Sequence, residues 1–304
     1  MGASTFFSVN TGVRQGSVLS PLLFIVYMNQ VILQIEQENF KLERFGYADD
    51  VAQTADSIHN LQDVMNCWDE KLTAAGLKLN YNKTEIMKVG RFTEDGDITL
   101  NGHTLKETEN FTYLGSKLTS DNLIEEEVNN RITKFTKNVN CLYPLLKEKD
   151  IPKDVKVLIY TTILRPVLLY GSETWTLTTR LKSKIQATEM RILRLIYGVT
   201  RRDRIRNDSI RAALKVTSIL SIIEKSQLRW FGHVIRMDDT RDVKRMYDWK
   251  PKAKRPLGRP RKRWKDQIKE ITSKEIDDFD TVETTAKDRK AWRSFTKRLI
   301  PDGP

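Results

Sequence analysis

The apolar pattern in the second half of the chain constrains the fold most, because it repeats with the period of an α-helix. After residue 120 apolar side chains recur every three or four positions, at Ile124, Val128, Ile132, Phe135, Val139 and Leu142. This spacing places them on one face of a helix. The segments "VKVLIYTTILRPVLLYG", "KIQATEMRILRLIYG" and "ILSIIEKSQLRWFGHVIRM" have the same character. The sequence therefore predicts a mainly α-helical region over residues 119–240.

The first 118 residues mix helical and strand patterns. Ser20 and Pro21 form a typical helix start, and the helix that follows is apolar on most of its circumference, which predicts complete burial. The stretch "LERFGYADDVAQTAD" alternates about a central turn, as a β-hairpin does. Residues 60–75 return to helical spacing, and Gly76 is placed to end that helix in a left-handed conformation. Short strands are expected in "LKLN", "TEIMKVG", "DITLNG" and "NFTYLGSKL", so this part is predicted to be α+β.

The charge balance points to an acidic partner. The 304-residue chain has 52 Lys and Arg against 40 Asp and Glu, a net charge of +12. Such an excess favours nucleic acid first and an anionic membrane surface second. Two distant cysteines without nearby histidines exclude a zinc finger.

Residues 18–35 are the most apolar stretch, but polar side chains interrupt them. A membrane-spanning helix needs about 20 mainly apolar residues. We therefore expect no membrane partner and an intracellular protein, nuclear or cytoplasmic. The sequence indicates no particular protein partner.

Asp49 and Asp50 stand side by side at the expected hairpin tip. Taken alone, such a pair is most often a solvated turn. The alternative is a magnesium site, since Mg²⁺ takes rigidly held carboxylate oxygens. Two glycines also flank Arg14 and Gln15 directly before a helix start, which lets backbone approach an anionic ligand. Each pattern alone is weak evidence for a ligand-binding site, and the two together are informative.

Four motifs resemble those of the reverse transcriptases of LINE-type (non-LTR) retrotransposons. In chain order they are "GVRQGSVLSPLLF", "YADD", "GLKLNYNKTEIM" and "YLGSKL". The stretches "LLYGSETWTL" and "LRWFGHVIRM" resemble the C-terminal part of the same polyproteins. The resemblance implies an α+β partial polymerase palm over residues 1–118, a helical thumb-like region over 119–240 and a basic C-terminal extension over 241–304. It also implies RNA-directed DNA synthesis, with an RNA template and a DNA primer as partners.

The resemblance assigns a role to each motif. Asp49 is the implied metal ligand with Asp50 beside it, and Mg²⁺ is the implied cofactor, as two ions about 4 Å apart. Lys83 would protonate the leaving pyrophosphate or offset its charge. The implied substrate contacts are those of Arg14, Gln15, Gly16 and Tyr47 with the nucleotide, and of Tyr113, Leu114 and Gly115 with the primer.

One part of the implied metal site has no counterpart in the sequence. The family carries a further aspartate, on a strand before the glycine-containing loop, that bridges both metals. Here the first acidic residue is Glu36. We therefore expect this polypeptide alone to be inactive, with a non-catalytic nucleic-acid-binding remnant and a decayed copy of the element as alternatives. A palm without that strand is also expected to expose apolar surface and to be poorly soluble.

Two basic stretches are candidate nucleic-acid contacts. Arg201, Arg202 and Arg204 fall where the resemblance implies a thumb that touches backbone phosphates, although they could equally form the polar face of packed helices.

The second stretch, residues 249–265, has nine basic and no acidic residues between Lys250 and Lys265, and prolines that prevent a regular helix. Its Gly-Arg-Pro resembles an AT-hook core that enters the DNA minor groove. A nuclear-import signal and a solvated linker remain open. Its candidate DNA contacts are Arg255, Arg259, Arg261, Lys262 and Arg263.

Overall fold

The computed structural model describes residues 12–38, 43–90, 96–249 and 261–301. The chain divides into two compact units, residues 1–123 and 124–304. Both the α+β character of the first part and the mainly helical character of the second are confirmed. Among the described residues, no helix combines the length and the apolar character that crossing a membrane requires.

The described part of the first unit contains two helices and eight short strands. These are α1 (Ser20–Gln37), β1 (Arg44–Tyr47), β2 (Asp50–Gln53), α2 (Ile58–Ala74), β3 (Glu85–Ile86), β4 (Thr99–Leu100), β5 (His103–Thr104), β6 (Lys106–Glu107), β7 (Asn110–Tyr113) and β8 (Ser116–Thr119). The pairs β1–β2, β4–β5 and β7–β8 are antiparallel, and β3–β6 is parallel.

The core of the first unit lies between α1 and α2, whose apolar faces meet. Its most buried members are Met28, Val31, Ile35, Val64, Trp68 and Leu72. The predicted end of α2 is confirmed, since Gly76 has a φ of +71° directly after the helix. A left-handed residue at this position is easiest for glycine, which has no Cβ.

Helix α1 differs from the prediction in two respects. The Ser20 hydroxyl donates to the carbonyl of Arg14 at 2.6 Å, so it does not cap the helix N–H groups. The prediction of a helix buried all round is wrong, because α2 covers only one side of α1. The apolar side chains on its other sides are between 49% and 59% exposed: Leu22, Leu23, Ile25, Val26 and Leu33.

The strands expected in residues 77–89 form only in part. Residues 77–80 contain no strand, and only Glu85–Ile86 pairs, with β6. The backbone turns here instead, because the Asn80 carbonyl accepts the N–H groups of Lys83 (2.9 Å) and Thr84 (3.0 Å).

The described part of the second unit consists of helices and connecting loops and contains no strand. Its helices are α3 (Ile124–Lys147), α4 (Lys153–Ile159), α5 (Arg165–Leu169), α6 (Thr179–Tyr197), α7 (Asn207–Leu214), α8 (Ile219–Ile235), α9 (Asp242–Asp248), α10 (Trp264–Thr272), α11 (Phe279–Lys287) and α12 (Arg289–Leu299). A π-helical turn, Tyr160–Leu164, joins α4 to α5. It lies just before Pro166, which has no N–H to donate to the preceding turn. Helix α6 ends as predicted at Gly198, whose φ is +88°.

A buried ionic network holds four segments of this unit together. Glu189 of α6 accepts hydrogen bonds from Arg211 (2.8 Å), from the Tyr160 hydroxyl (3.1 Å) and from the Ile219 N–H (3.0 Å). Burial raises the pKa of the Glu189 carboxyl, and Arg211 partly opposes the rise. Because every partner of Glu189 belongs to the protein itself, we expect this network to stabilise the fold and not to bind a ligand.

The helices on either side of residue 240 share one core. Phe231 of α8 lies at its centre, with ring centroids 5.4–6.3 Å from those of four aromatic side chains, Tyr247, Trp264, Phe279 and Trp292. A Cβ added at Gly232 would lie 2.3 Å from the Trp292 ring, so this helix position needs glycine. The Trp292 indole N–H donates to the Leu228 carbonyl at 2.9 Å and fixes the ring there.

Candidate active site

The two aspartates lie on a tight β-hairpin, as predicted. Tyr47 pairs with Asp50 across β1 and β2, which leaves Ala48 and Asp49 as the two-residue loop. Ala48 has a φ of +53°. The favoured two-residue hairpin turns require a positive φ at the first loop position. A non-glycine residue held there costs on the order of 1–3 kcal/mol, and such strain is concentrated at functional sites.

The carboxylates of Asp49 and Asp50 are exposed and have no hydrogen bond or ion pair with the residues that the structure describes. They therefore differ from acidic residues that stabilise the first unit, such as Glu36, which pairs with Arg44 at 2.5 Å. Two carboxylates without internal partners on a fixed turn present oxygen atoms to solvent and to a cation.

The hairpin is attached to both core helices. The Arg44 guanidinium binds Glu36 of α1, and the Trp68 indole N–H of α2 donates to the Gln53 side chain of β2 at 3.2 Å. These contacts fix the two ends of the hairpin, so its tip has a defined position relative to the α1–α2 core.

The β7–β8 hairpin lies against the first hairpin. Its turn consists of Leu114 and Gly115, with φ of +46° and +82°. The Tyr113 hydroxyl donates to the Phe45 carbonyl of β1 at 2.8 Å. Burial, and after it the negative charge of Asp50, raises the pKa of Tyr113. The structure therefore brings Tyr113 to the strand that leads into the Asp49–Asp50 turn, although Tyr113 and Phe45 are 68 positions apart in the sequence.

The glycine-containing loop is described from Gly12 onwards. Gly12 and Gly16 have φ of +101° and +82°, and the Ser17 N–H donates to the Arg14 carbonyl at 3.3 Å. The side chains of Arg14 and Gln15 are exposed and make no polar contact within the described residues. The loop thus presents a cation and an amide to solvent directly before α1.

Lys83 lies in the turn formed by residues 81–83, and its ammonium group has no hydrogen bond or ion pair with any described residue. No contact brings it to the two aspartates. Beside it is a cavity of about 460 Å³ whose lining includes Tyr81 and His103. Their rings stack with centroids 5.2 Å apart. Sequence reasoning missed this pair, because His103 has no recognisable motif around it.

The residues present fit a divalent metal only in part. Within the described ranges no three His, Cys, Asp or Glu side chains are close enough to hold an ion. Proteins often bind Mg²⁺ through one or two carboxylates together with substrate phosphates. Asp49 and Asp50 can supply those carboxylates, and the remaining ligands must come from elsewhere.

The candidate nucleic-acid contacts fall into two groups. Arg201, Arg202 and Arg204 are exposed in the loop between α6 and α7. In that loop Asp203 accepts hydrogen bonds from the N–H (2.6 Å) and hydroxyl (2.9 Å) of Thr200, and these bonds lower the pKa of Asp203.

Of the basic segment, Arg255 and Arg259 lie outside the described residues. Arg261 and Arg263 are exposed. Lys262 forms a salt bridge with Glu270, which also accepts from Lys182 at 2.9 Å. The charge of Lys262 is therefore partly neutralised within the protein.

Comparison with known proteins finds a family match in the first unit. Residues 2–118 match the family described as Reverse transcriptase (RNA-dependent DNA polymerase). A transposon-derived protein of Caenorhabditis elegans is 28% identical over 273 residues, which are 84% of this chain and 96% of that protein.

Two further relatives are RNA-directed DNA polymerases from the mobile element jockey. The Drosophila melanogaster protein is 24% identical over 64% of this chain, and the Drosophila funebris protein is 26% identical over 62%. The aligned part is 23% and 22% of their respective lengths.

The paired aspartate hairpin and the family match define residues 2–118 as a reverse transcriptase domain. The family match and the transposon relatives agree with the resemblance of the four motifs to LINE-type (non-LTR) retrotransposon reverse transcriptases, and that prediction is confirmed. The chain spans less than a quarter of the jockey polymerases that it matches.

Proposed function

We propose that the Asp49–Asp50 hairpin is the metal-binding part of a site that adds nucleotides to a DNA primer on an RNA template. The observation that carries this proposal is the pair of exposed carboxylates without internal partners, on a strained two-residue turn. The turn lies in a segment that matches RNA-dependent DNA polymerases.

Asp49 is the proposed ligand of Mg²⁺, with Asp50 beside it. When bound, the metal ion polarises phosphoryl oxygens and lowers the pKa of the attacking hydroxyl. Lys83 offsets charge on the pyrophosphate.

The proposed substrate contacts come from three segments of the first unit. Those with the nucleotide come from Arg14, Gln15, Gly16 and Tyr47, and those with the primer come from Tyr113, Leu114 and Gly115. Through its hydrogen bond to the Phe45 carbonyl, Tyr113 holds the β7–β8 hairpin against the β1–β2 hairpin that carries the two aspartates.

The second unit is proposed to bind nucleic acid. Residues 119–240 would act as a thumb-like region, with Arg201, Arg202 and Arg204 on backbone phosphates. The extension over residues 241–304 would contact DNA through Arg255, Arg259, Arg261, Lys262 and Arg263. The net charge of +12 supports both assignments, because phosphate neutralisation by Lys and Arg supplies most non-specific affinity. An intracellular location, nuclear or cytoplasmic, belongs to the same proposal.

Catalysis by this polypeptide alone is not part of the proposal. A two-metal site needs a further carboxylate, and the first acidic residue, Glu36, is already paired with Arg44. We infer that the chain depends on a carboxylate from another segment or molecule. A non-catalytic nucleic-acid-binding protein is the second candidate function, favoured by the basic loop of the second unit, and a decayed element copy without function is the third.

Metal binding can be tested without activity. Fe²⁺ in place of Mg²⁺, with peroxide and ascorbate, generates hydroxyl radicals that cleave the backbone near the ion. We expect cleavage around residues 45–53 in the unmodified chain and in Asp97→Ala, an exposed aspartate of the same unit. The Asp49→Ala, Asp50→Ala variant should lose it. Cleavage that persists in the double variant contradicts the proposed site.

Primer extension on an RNA template with Mg²⁺ tests the catalytic inference. We expect no extension by the unmodified chain or by the double variant. Extension by the unmodified chain that the double variant lacks would show that the site is complete as it stands, and would overturn the dependence on a further carboxylate.

A further inference from the structure

A second cavity, of about 310 Å³, lies between the end of α6 and the start of α7 in the second unit. Its lining includes three arginines, Arg194, Arg201 and Arg204, together with Asn207. Its volume is at the lower end of ligand pockets, which range over about 300–1,000 Å³. Arg202, which is adjacent in sequence, does not line it.

The positive charge of this pocket is not neutralised by any of the residues that the structure describes. The half-buried Arg194 guanidinium contacts only neutral acceptors: the Asn207 Oδ1 at 2.6 Å and the carbonyls of Ile205 and Met190, both at 3.4 Å. The guanidinium groups of Arg201 and Arg204 have no hydrogen bond or ion pair with the described residues.

The acidic residues nearby are engaged elsewhere. One Asp203 oxygen accepts both hydrogen bonds from Thr200, and Asp208 pairs with Arg211 at 3.1 Å. Three like charges around one cavity repel one another, and a bound anion removes that repulsion. Arginine presents several N–H groups in a fixed fork that matches phosphate oxygens, so a phosphate is the anion that this lining suits best.

The pocket has a defined shape without a ligand. Asn207 orients Arg194, so little side-chain freedom remains to be lost on binding. The loop that carries Arg201 and Arg204 begins after Gly198, which ends α6, and is held by the Thr200–Asp203 hydrogen bonds. An oriented arginine beside a hydrogen-bonded loop distinguishes this pocket from a run of solvated surface arginines.

We propose that this pocket binds one backbone phosphate of a nucleic acid strand, with Arg194 at its base and Arg201 and Arg204 at its rim. The inference rests on the proposed nucleic-acid function of the second unit, and it narrows the contact from a diffuse arginine-rich stretch to three residues. Arg202 is not among the residues proposed to contact this phosphate, whereas Arg194, which the sequence did not single out, is one of them.

The test compares two double variants of the full chain that each remove two positive charges. Arg201→Gln, Arg204→Gln changes the pocket, whereas Arg191→Gln, Arg206→Gln changes two exposed arginines nearby that do not line it. Binding of a fluorescent single-stranded RNA is measured by anisotropy over a range of salt concentrations. The pocket variant should weaken binding about tenfold, against about threefold or less for the control. It should also reduce the slope of log affinity against log salt by about 0.7, the value for one phosphate contact on a single strand.

Inorganic phosphate provides a second readout that needs no RNA. It should raise the thermal unfolding midpoint of the unmodified chain and of the control variant above the value in chloride of equal ionic strength, because a ligand that binds only the folded state stabilises it. The pocket variant should show no such difference. Circular dichroism checks folding, and the single Arg201→Gln variant replaces the double one if the latter unfolds.

Two results would overturn the proposal. If both double variants weaken RNA binding equally, RNA binds to a diffuse basic surface and not to the pocket. If phosphate stabilises the unmodified chain but the pocket variant binds RNA as tightly as the unmodified chain, the pocket is a site for a free small anion. Neither readout involves the Asp49–Asp50 hairpin, so failure of the metal-cleavage experiment leaves these outcomes unchanged.

Discussion

At the scale of single residues, the hydroxyl group of Tyr113 makes the contact that connects the two hairpins of the candidate active site. It donates to the Phe45 carbonyl at 2.8 Å. In Tyr113→Phe that carbonyl loses the hydrogen bond from the Tyr113 hydroxyl, and one such bond contributes about 0.5–1.5 kcal/mol. We expect amide hydrogen exchange in residues 44–53 to become about two- to tenfold faster, as measured by mass spectrometry.

Tyr27→Phe is the matched control for this prediction. The Tyr27 hydroxyl also donates to a backbone carbonyl of the first unit, that of Ala75, but away from both hairpins. Its loss should leave exchange in residues 44–53 unchanged. Equal effects of the two variants would mean that the Tyr113 contact has no specific role in positioning the aspartates.

At the scale of elements, one carboxylate holds α9, α10 and α11 together. Glu283 of α11 accepts hydrogen bonds from the Tyr247 hydroxyl of α9 and from Lys265 of α10, both at 2.6 Å. Burial alone would raise the pKa of Glu283, but the bonds from Lys265 and Tyr247 outweigh it and the pKa is lowered. The three helices therefore depend on the ionised form of this side chain.

A lowered carboxyl pKa gives a definite sign to the pH dependence. The stabilisation is complete above the ordinary value of 4.5 and is lost as the pH falls through the lower folded-state pKa. We expect the free energy of unfolding to decrease with acidification below pH 4.5, by at most about 1.4 kcal/mol per pH unit for this one group. Urea titrations should show a shallower decrease for Glu283→Gln. The control Asp277→Asn, an exposed residue without a partner in the described chain, should follow the unmodified protein.

At the scale of the whole molecule, each of the two units has its own hydrophobic core. Met28 is buried in the core of the first unit and Gly232 in the second. Calorimetry should therefore resolve two unfolding transitions. Met28→Ala removes buried atoms at a cost of about 2–5 kcal/mol and should lower the midpoint temperature of the transition of the first unit. Gly232→Ala forces the Trp292 ring to move and should lower the midpoint temperature of the transition of the second unit.

A single cooperative transition, with equal calorimetric and van't Hoff enthalpies, would contradict this prediction. So would a variant of either unit that shifts both transitions by the same amount.

Local chemistry in the sequence determined most of the elements of this protein. The helical period of the apolar residues predicted α3, α6 and α8, because that period selects one face of a helix whatever packs on it. Gly76 and Gly198 marked helix ends, since only glycine enters the left-handed region without a steric cost. The paired aspartates marked their hairpin through the strand alternation on either side and the motif around them.

Tertiary structure alone decided which residues meet and which faces are covered. An apolar pattern does not say how many sides of a helix find a partner, and α1 leaves several of its apolar side chains exposed. The contact between Tyr113 and Phe45 joins positions 68 residues apart. The pocket of Arg194, Arg201 and Arg204 depends on a loop that folds back over the end of α6. Such arrangements follow from how elements and loops pack on one another, which the spacing of residue types along the chain does not encode.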